Sequence, residues 1–438
     1  MPTPVVITAF NGLAPTGQNN FQGPFQNSVS KNIYAVLYNE GIASPDIEVW
    51  MSPDGVTWTE QNSGASPITV NFSVVAASYN DATKLITVLY YDLAVPAPQY
   101  DIQQFNTTTN LWGAPSKSPT YTDIAGDTFQ GGEILIERSD GTFFVILTGA
   151  DVLGNDWLNY VTWNGGVWSA SPPTQISTAI SNDVPYAAIP DASGLIFVFS
   201  TDANQPGQNN LYQRTINADG SITPAAINPA NKIATNVVGA HNVDSDFFVT
   251  GLATFNSVAS TLVVPYLTLS GEFHALVGTD VQTPIWTDTD LMSIYDPTGA
   301  FQTVSAISVG ASNFVFRVMN PPKFSIEQDI VGGTQSIIYS GAGQPANISV
   351  GIVNGGISIL FNLDPTGGMN PSETLYLALG GAPPHRSTPS QNLDQQKTAF
   401  VALPNPGKRC NLFGPERCVP VLRKRVLRGK VYTHVRAN

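Results

Sequence analysis

Charged residues are scarce in this chain of 438 residues, at 12% against about 25% in ordinary globular proteins. Hydrophobic residues make up 42%, so the composition excludes a disordered chain. No apolar stretch reaches the roughly 18 residues of a membrane span, and the N-terminus lacks the charged start and apolar run of a signal peptide. A surface built from Asn, Gln, Ser and Thr favours dense β-structure in a virion or in the extracellular space.

Residues that usually carry catalysis or bind metals are also few. The two cysteines, Cys410 and Cys418, are too few for a structural zinc site, but their spacing allows a disulfide. The four histidines are scattered, and His241 fits a loop residue better than a catalytic base. The motifs of phosphate-binding loops, zinc metalloproteases and serine hydrolases are absent. We therefore predict a protein without catalytic residues and without a cofactor.

A repeat of about 50 residues is present instead of helical periodicity. Six times, a turn-forming segment such as Asp54-Gly55-Val56-Thr57 leads into a large apolar residue. The steps between these anchors are 54, 56, 54, 64 and 51 residues, and the anchors are Trp58, Trp112, Trp168, Ile222, Trp286 and Ile337. A unit of this length cannot bury its own apolar face, so it must stack on further copies.

Within each unit the second predicted strand is almost wholly apolar, and the third alternates apolar and polar residues. This pattern is typical of β-propeller blades, whose inner strands are covered on both faces. We predict an all-β propeller over residues 1–382, with four-stranded antiparallel blades. Six anchors indicate six blades, whereas seven apolar second strands indicate seven. The N-terminal run from Val5 to Phe10 is a candidate to close the last blade and remove an exposed edge.

The segment Ser52-Pro53-Asp54-Gly55-Val56-Thr57-Trp58 resembles the Asp-box of sialidase-type β-propellers, Ser-x-Asp-x-Gly-x-Thr-Trp, but is one residue shorter. The other repeats keep the turn and the apolar anchor and lose most of the box. The resemblance implies a propeller in which the box lies between the third and fourth strands of a blade. It also implies a structural role, with Asp54 and Ser52 bracing the turn and Trp58 packing between blades.

Sialidases of this family resemble one another in an arginine triad, a Tyr/Glu nucleophile pair and an Asp acid/base. Before residue 383 this chain has only Arg138, Arg214 and Arg317. They lie in repeats three, four and six, and Arg138 precedes a hairpin turn. We therefore expect isolated structural arginines and not a catalytic sialidase.

Two further sets of residues leave alternatives open. Trp157, Tyr160 and Trp163 have the make-up of a sugar-stacking site, although strand alternation favours packing inside a blade. Two acidic loop clusters offer oxygen ligands for calcium, although solvated acidic loops are the simpler interpretation. These clusters are Asp244 with Asp246 and Asp151 with Asp156.

Residues 383–438 are predicted to form an extended, Pro-rich arm, with an unstructured terminus as the alternative. Residues 408–438 hold nine basic residues and one acid, a net charge of about +8, while the rest of the chain is about −21. Such an acidic body repels nucleic acid. The basic residues of the arm are Lys408, Arg409, Arg417, Arg423, Lys424, Arg425, Arg428, Lys430 and Arg436.

A basic arm on an acidic body predicts assembly with copies of the chain or with other acidic partners. Few charges, abundant Asn, Thr and Gly and no recognised signal peptide together resemble virion proteins of tailed phages. The first hypothesis is thus a non-enzymatic structural and recognition propeller of a virion, such as a tail nozzle, hub or vertex-attached protein, whose rim contacts virion proteins or host glycan. The alternatives are a secreted or released glycan-binding lectin and a sialidase-like glycoside hydrolase.

Overall fold

A computed structural model gives the fold. It describes residues 3–9, 21–39, 46–61, 68–69, 75–92, 99–121, 131–138, 140–150, 156–170, 173–176, 184–190, 194–201, 209–217, 219–223, 232–237, 254–256, 258–268, 273–279, 285–292, 301–319, 325–341, 343–364, 373–379, 400–401, 423–427 and 430–434. Throughout these ranges the regular elements are β-strands, in agreement with the predicted all-β class.

Seven antiparallel sheets follow one another along the chain, and each is one blade of a propeller. The strands of the first four blades are β2 (Phe21–Gln26), β3 (Ile33–Asn39), β4 (Asp46–Ser52), β5 (Thr59–Glu60) and β6 (Ile68–Thr69) in blade 1; β7 (Val75–Asn80), β8 (Leu85–Asp92), β9 (Gln99–Asn106), β10 (Leu111–Trp112) and β11 (Ser116–Lys117) in blade 2; β12 (Gly131–Glu137), β13 (Phe143–Ala150), β14 (Asp156–Asn164), β15 (Val167–Trp168) and β16 (Thr174–Gln175) in blade 3; and β17 (Val184–Pro190), β18 (Gly194–Thr201), β19 (Asn209–Asn217), β20 (Ile222–Thr223) and β21 (Lys232–Val237) in blade 4. In each of these blades the fourth, outermost position is divided between two short strands that pair with the third.

Blades 5 to 7 have undivided outer strands. Their strands are β22 (Thr254–Asn256), β23 (Thr261–Leu267), β24 (Phe273–Thr279) and β25 (Ile285–Met292) in blade 5; β26 (Phe301–Val309), β27 (Ser312–Met319), β28 (Ser325–Ile330) and β29 (Gln335–Ser340) in blade 6; and β30 (Gln344–Val353), β31 (Gly356–Asp364), β32 (Glu373–Ala378) and β1 (Val5–Ala9) in blade 7. Three further strands follow the propeller, namely β33 (Phe400–Val401), β34 (Arg423–Leu427) and β35 (Lys430–His434).

The ring closes through the N-terminal strand. β1 pairs antiparallel with β32, with Val5 opposite Tyr376 and Ala9 opposite Glu373, so it supplies the fourth strand of blade 7. The first strands of the seven blades also contact one another in sequence, and β30 contacts β2 to complete the circle. Closure removes the free edges that an open array would leave at its ends.

The structure thus confirms the propeller and decides between six and seven blades. Only six anchors follow a third strand along the chain because the outer strand of blade 7 comes from the opposite end of the sequence. Adjacency in space and adjacency in sequence differ at this one seam, and a count of sequence repeats cannot detect the difference.

Side chains of the second strands alternate between the two neighbouring blades. In β27, Val315 and Met319 pack with the apolar residues of blade 5, whereas Phe314, Phe316 and Val318 pack with those of blade 7. Both sets lie in the core because each blade is covered on both faces. This two-sided burial explains the continuous apolar runs in the second strands.

A polar turn recurs where the first strand of a blade meets the second. In blades 1, 2 and 5 an asparagine accepts hydrogen bonds from the N–H groups two and three residues on, at 2.9–3.3 Å. The fifth residue of each turn has a positive φ of 51–65°. The three segments are Asn27-Ser28-Val29-Ser30-Lys31, Asn80-Asp81-Ala82-Thr83-Lys84 and Asn256-Ser257-Val258-Ala259-Ser260.

The same asparagines also connect blades. Nδ2 of Asn27 donates to Thr107 Oγ1 of blade 2 at 2.9 Å, and Nδ2 of Asn256 donates to Asn313 Oδ1 of blade 6 at 2.9 Å. Nδ2 of Asn80 donates to Glu137 Oε1 of blade 3. One side chain therefore shapes a hairpin and fixes its blade against the next.

Candidate functional site

The turn that carries the Asp-box resemblance lies between β4 and β5, the third and fourth strands of blade 1. Ser52 Oγ accepts the Gly55 N–H at 2.8 Å, and Asp54 Oδ1 accepts the N–H groups of Val56 and Thr57 at 2.8 and 2.7 Å. The hydrogen bonds from Thr57 and then Val56 lower the pKa of the Asp54 carboxyl. These residues brace the turn, as the resemblance implies for an Asp-box.

Trp58 follows this turn and packs across the seam between blades 1 and 7. The centroids of the Trp58 and Tyr376 rings lie 5.3 Å apart, and Tyr376 belongs to β32. Gly55, at φ +76°, holds the turn so close to Tyr376 that an added Cβ would lie 3.0 Å from Cε1 of that ring. The turn is therefore a structural contact between blades, and its Ser52 and Asp54 side chains are hydrogen-bonded to its own backbone.

The other predicted anchors also connect neighbouring blades or pack within their own. Trp286 Nε1 donates to Gln213 Oε1 of blade 4 at 2.8 Å, and Trp168 Nε1 donates to Ser116 O of blade 2 at 3.2 Å. Trp112 packs edge-on against Phe105 of its own blade with centroids 5.3 Å apart, and Ile222 packs against the large core cluster of blades 1 to 4.

Ile337 departs from this pattern. It is 52% exposed, whereas the next residue, Ile338, is 8% exposed and belongs to the core between blades 6 and 7. The packed anchor of blade 6 is therefore Ile338, and Ile337 corresponds to the exposed residues that precede the tryptophans in other blades. Two consecutive isoleucines give the sequence no preference for which side chain points inward, because neighbours in a strand face opposite sides.

Arg317 is fully buried between blades 5 and 6 and forms a charge cluster with two acids. Its Nη2 lies 2.9 Å from Glu327 Oε2, and its Nη1 lies 3.0 Å from Asp329 Oδ2. Its guanidinium stacks 5.3 Å from the ring centroid of Phe273 in blade 5, and Gln335 Nε2 donates to Glu327 at 2.6 Å. Burial raises the pKa of Asp329 to about 6. The positive charge of Arg317 lowers this pKa, and the negative charge of Glu327 raises it.

The remaining body arginines have separate local roles. Arg138 lies at the hairpin turn between β12 and β13, 3.8 Å from Asp140 and 5.6 Å from the ring centroid of Phe144. Arg214 is buried in β19 and donates to the backbone oxygen of Ile176 in blade 3. The three arginines thus lie in different blades, each with its own partners, and do not converge into a carboxylate clamp.

The aromatic residues weighed as a sugar site are divided by the structure. Tyr160 and Trp163 are 6% and 5% exposed and pack on Phe144 and Phe143. The Tyr160 hydroxyl donates to Gly220 O of blade 4 at 3.0 Å, and Trp163 Nε1 donates to Ser116 Oγ at 2.9 Å. These two side chains join blades and offer no face to a glycan. Trp157 lies in β14, but its side chain is outside the described part of the structure.

Several sequence predictions concern residues outside the described ranges. They are Cys410 and Cys418, the acidic residues Asp151, Asp244 and Asp246, His241, and the arm residues Lys408, Arg409, Arg417, Arg428 and Arg436. The backbone of Asp156 is described as the first residue of β14. Among the described residues no group of three or more acidic, histidine or cysteine side chains could hold a metal ion, and no helix is long and apolar enough to cross a membrane.

A polar cluster that the sequence prediction missed fixes blade 1 against blade 2. Asp81 Oδ1 accepts hydrogen bonds from Lys84 Nζ, Ser28 N and Tyr79 Oη at 2.7, 2.8 and 2.9 Å. Burial would raise the pKa of Asp81, but the hydrogen bonds from Lys84 and Ser28 lower it to about 2. The detectable signal was the pair of turns Asn27–Lys31 and Asn80–Lys84, which lie one repeat length apart.

In the described part of the chain, the arm adds a strand, β33, to blade 3. β33 pairs antiparallel with β12, with Ile134 opposite Val401 and Leu135 opposite Phe400, and it also contacts β7 of blade 2. Because β12 is the first strand of blade 3, its edge away from β13 faces the axis of the ring. The arm strand therefore lies at the central channel, beside blades 2 and 3.

The rest of the described arm is a hairpin. β34 and β35 pair antiparallel from Arg423 opposite His434 to Leu427 opposite Lys430. Four of the predicted basic arm residues, Arg423, Lys424, Arg425 and Lys430, lie on these two strands. The described parts of the arm are thus a short strand at the channel and a basic hairpin.

No protein-family model matches this chain, and no curated protein matches it. Among solved structures it is similar to the polysaccharide lyase Uly1, with 13% identity, a TM-score of 0.48 and coverage of 84% of this chain and 91% of the lyase. The β-propeller domain of the Trilobed protease from Pyrococcus furiosus is 8% identical, with a TM-score of 0.46 and coverage of 87% of this chain and 97% of that domain. Trypanosoma rangeli sialidase is 14% identical, with a TM-score of 0.46. The match covers 86% of this chain and 59% of the sialidase. At such identities the likeness is one of fold, and the propeller rests on the strand pairing described above.

Proposed function

We propose that this protein is a non-enzymatic structural and recognition propeller that assembles through its C-terminal arm, as a component of a phage or virus particle such as a tail nozzle, hub or vertex-attached protein. The observation that carries the proposal is the division of the molecule into an acidic ring and a basic arm that has its own strand and hairpin.

The charge distribution supports assembly between copies or with acidic partners. Residues 1–407 carry about −21 and residues 408–438 about +8. Opposite charges on two parts of one chain attract between molecules as well as within one, and the attraction weakens as salt screens it.

The chemistry of the described ring also favours a structural role. Arg317 is ion-paired with Glu327 and Asp329 inside a blade interface, and Arg214 donates to a backbone oxygen of the preceding blade. The tyrosine and tryptophan that a lectin would use in blade 3 are committed to blade packing. Among the described residues, the three body arginines and the two aromatics of blade 3 that were considered for the hydrolase and lectin alternatives are therefore engaged in contacts within the ring.

Removing residues 383–438 tests the proposal. The ring closes between β1 and β32, so we expect the shortened chain to keep its β-sheet circular dichroism spectrum while its mass by light scattering falls to that of a monomer. A full-length variant with Arg423→Gln, Lys424→Gln and Arg425→Gln is the matched control for charge, and we expect it to assemble at least tenfold more weakly at low salt. Normal assembly of the shortened chain would refute the proposal.

A further inference from the structure

The channel edge of β12 is a strand-acceptor site, because it already holds two residues of the arm. Ile134 and Leu135 face Val401 and Phe400 in antiparallel register. An edge strand presents unpaired N–H and C=O groups, and an extended segment can satisfy them by adding a strand. This mode of binding takes its affinity from backbone hydrogen bonds, so it suits the apolar arm segment 398–403, Thr-Ala-Phe-Val-Ala-Leu.

The acceptor strand β12 is packed into the hydrophobic core of the ring. Leu135 and Ile136 are 0% and 1% exposed and belong to the core shared by blades 1 to 4. At the end of the same strand, Glu137 accepts a hydrogen bond from Asn80 of blade 2. An acceptor strand fixed on its blade side and at its end can exchange its channel-side partner without a change in the blades.

The arm is long enough to reach a neighbouring copy. The 20 residues between Leu379 and Phe400 span up to about 70 Å when extended. A propeller of this size is about 55 Å across, from a radius of gyration of about 21 Å. A segment that can pair with its own ring can therefore pair with the identical site on a ring in contact with it, at little cost because the contacts are the same.

We infer that the arm strand β33 (Phe400–Val401) is exchangeable: it occupies the channel edge of blade 3 of its own chain in the monomer and of a second copy in the assembly. This inference rests on the proposed function and names the docking site through which the arm acts. The basic hairpin that follows the strand would then lie against the acidic ring of the second copy.

Disulfide trapping between two full-length chains tests the exchange. Both chains carry Cys410→Ser and Cys418→Ser; one adds Ile134→Cys and the other Val401→Cys, so neither can form a bond within itself. Opposed residues in an antiparallel pair have Cα atoms about 4.5–5.5 Å apart, which suits a disulfide. After mixing, assembly and air oxidation, we expect a disulfide-linked pair of the two chains, at least tenfold above a control in which Ser390→Cys replaces Val401→Cys.

A third chain with Ile134→Cys and Val401→Cys together separates the outcomes. A bond within this chain combined with no bond between the two mixed chains would overturn the exchange and leave the arm as a plug of its own channel. Absence of both bonds would overturn the docking site itself. Either result leaves the deletion test of the arm unaffected, so failure of the site and failure of the proposed function are distinguishable.

Discussion

The interface between blades 5 and 6 and the seam between blades 7 and 1 both bury apolar side chains, but only the first is described with a buried charge cluster as well. The first buries an arginine with two carboxylates, Arg317 with Glu327 and Asp329, against Phe273. The seam contains an apolar cluster in which Ile7, Leu360 and Tyr376 meet residues of blade 1, including Trp58.

The difference follows from what each interface must do. Blades 5 and 6 are consecutive in the chain, so only a short loop has to close to bring them together. The seam joins residues 5–9 to residues 373–378, and closing such a long loop has the largest entropy cost in the ring. Apolar contacts tolerate small errors of approach, whereas a buried charge cluster needs good geometry to offset its desolvation.

The largest effect should come from breaking the charge cluster. Arg317→Met removes the cation that pairs with Glu327 and Asp329, and leaves two buried carboxylates together. We expect the free energy of unfolding at pH 7, measured with urea, to fall by about 3–5 kcal/mol. The triple variant Arg317→Met, Glu327→Gln, Asp329→Asn should recover most of this loss, because no buried charge is left. A loss below about 1 kcal/mol in the single variant would contradict the account.

The same cluster makes the ring sensitive to pH. The pKa of Asp329 is about 6 in the folded protein against an ordinary 3.8, so its neutral form is favoured by folding. The resulting stability is present below pH 4 and is lost as the pH rises through 6, by about 3 kcal/mol. We expect the difference in unfolding free energy between the wild type and Asp329→Asn to fall by this amount between pH 4 and pH 7.5. A difference that is constant with pH would show that folding leaves the pKa of Asp329 unshifted, and a difference that rises with pH would show that folding lowers it.

The two interfaces also differ in how well the sequence predicted them. The strand order within a blade followed from the sequence pattern, the blade number was left at six or seven, and the N-terminal run was a correct candidate for the closing strand. The charge cluster was not predicted because Glu327 and Asp329 follow Arg317 by 10 and 12 residues. Only the register of β27 with β28 brings the three side chains together. The sequence showed Arg317 within an apolar strand, but it did not show which acidic residues would lie beside it.

Other features were missed because their partners lie in a different repeat. The asparagine turns have a shared pattern of five residues, but the bond from Asn27 to Thr107 or from Asn256 to Asn313 depends on the rotation between blades. The position of the arm strand in the channel was likewise beyond sequence reasoning. A short apolar run such as residues 398–403 predicts a strand, but the choice of β12 as its partner is a property of the assembled ring.

The smallest predicted effect sharpens the description of the seam. Gly55→Ala places a Cβ at φ +76° and 3.0 Å from Cε1 of Tyr376, so it combines backbone strain with a contact across blades 1 and 7. Gly141→Ala is the matched control, because it has φ +83° with nothing within 4 Å of the added Cβ. The strain alone costs about 1–2 kcal/mol, and we expect Gly55→Ala to lose about 1 kcal/mol more than Gly141→Ala in urea unfolding. Equal losses would mean that Tyr376 yields freely, and that the seam depends on the area it buries and not on the fit of this turn.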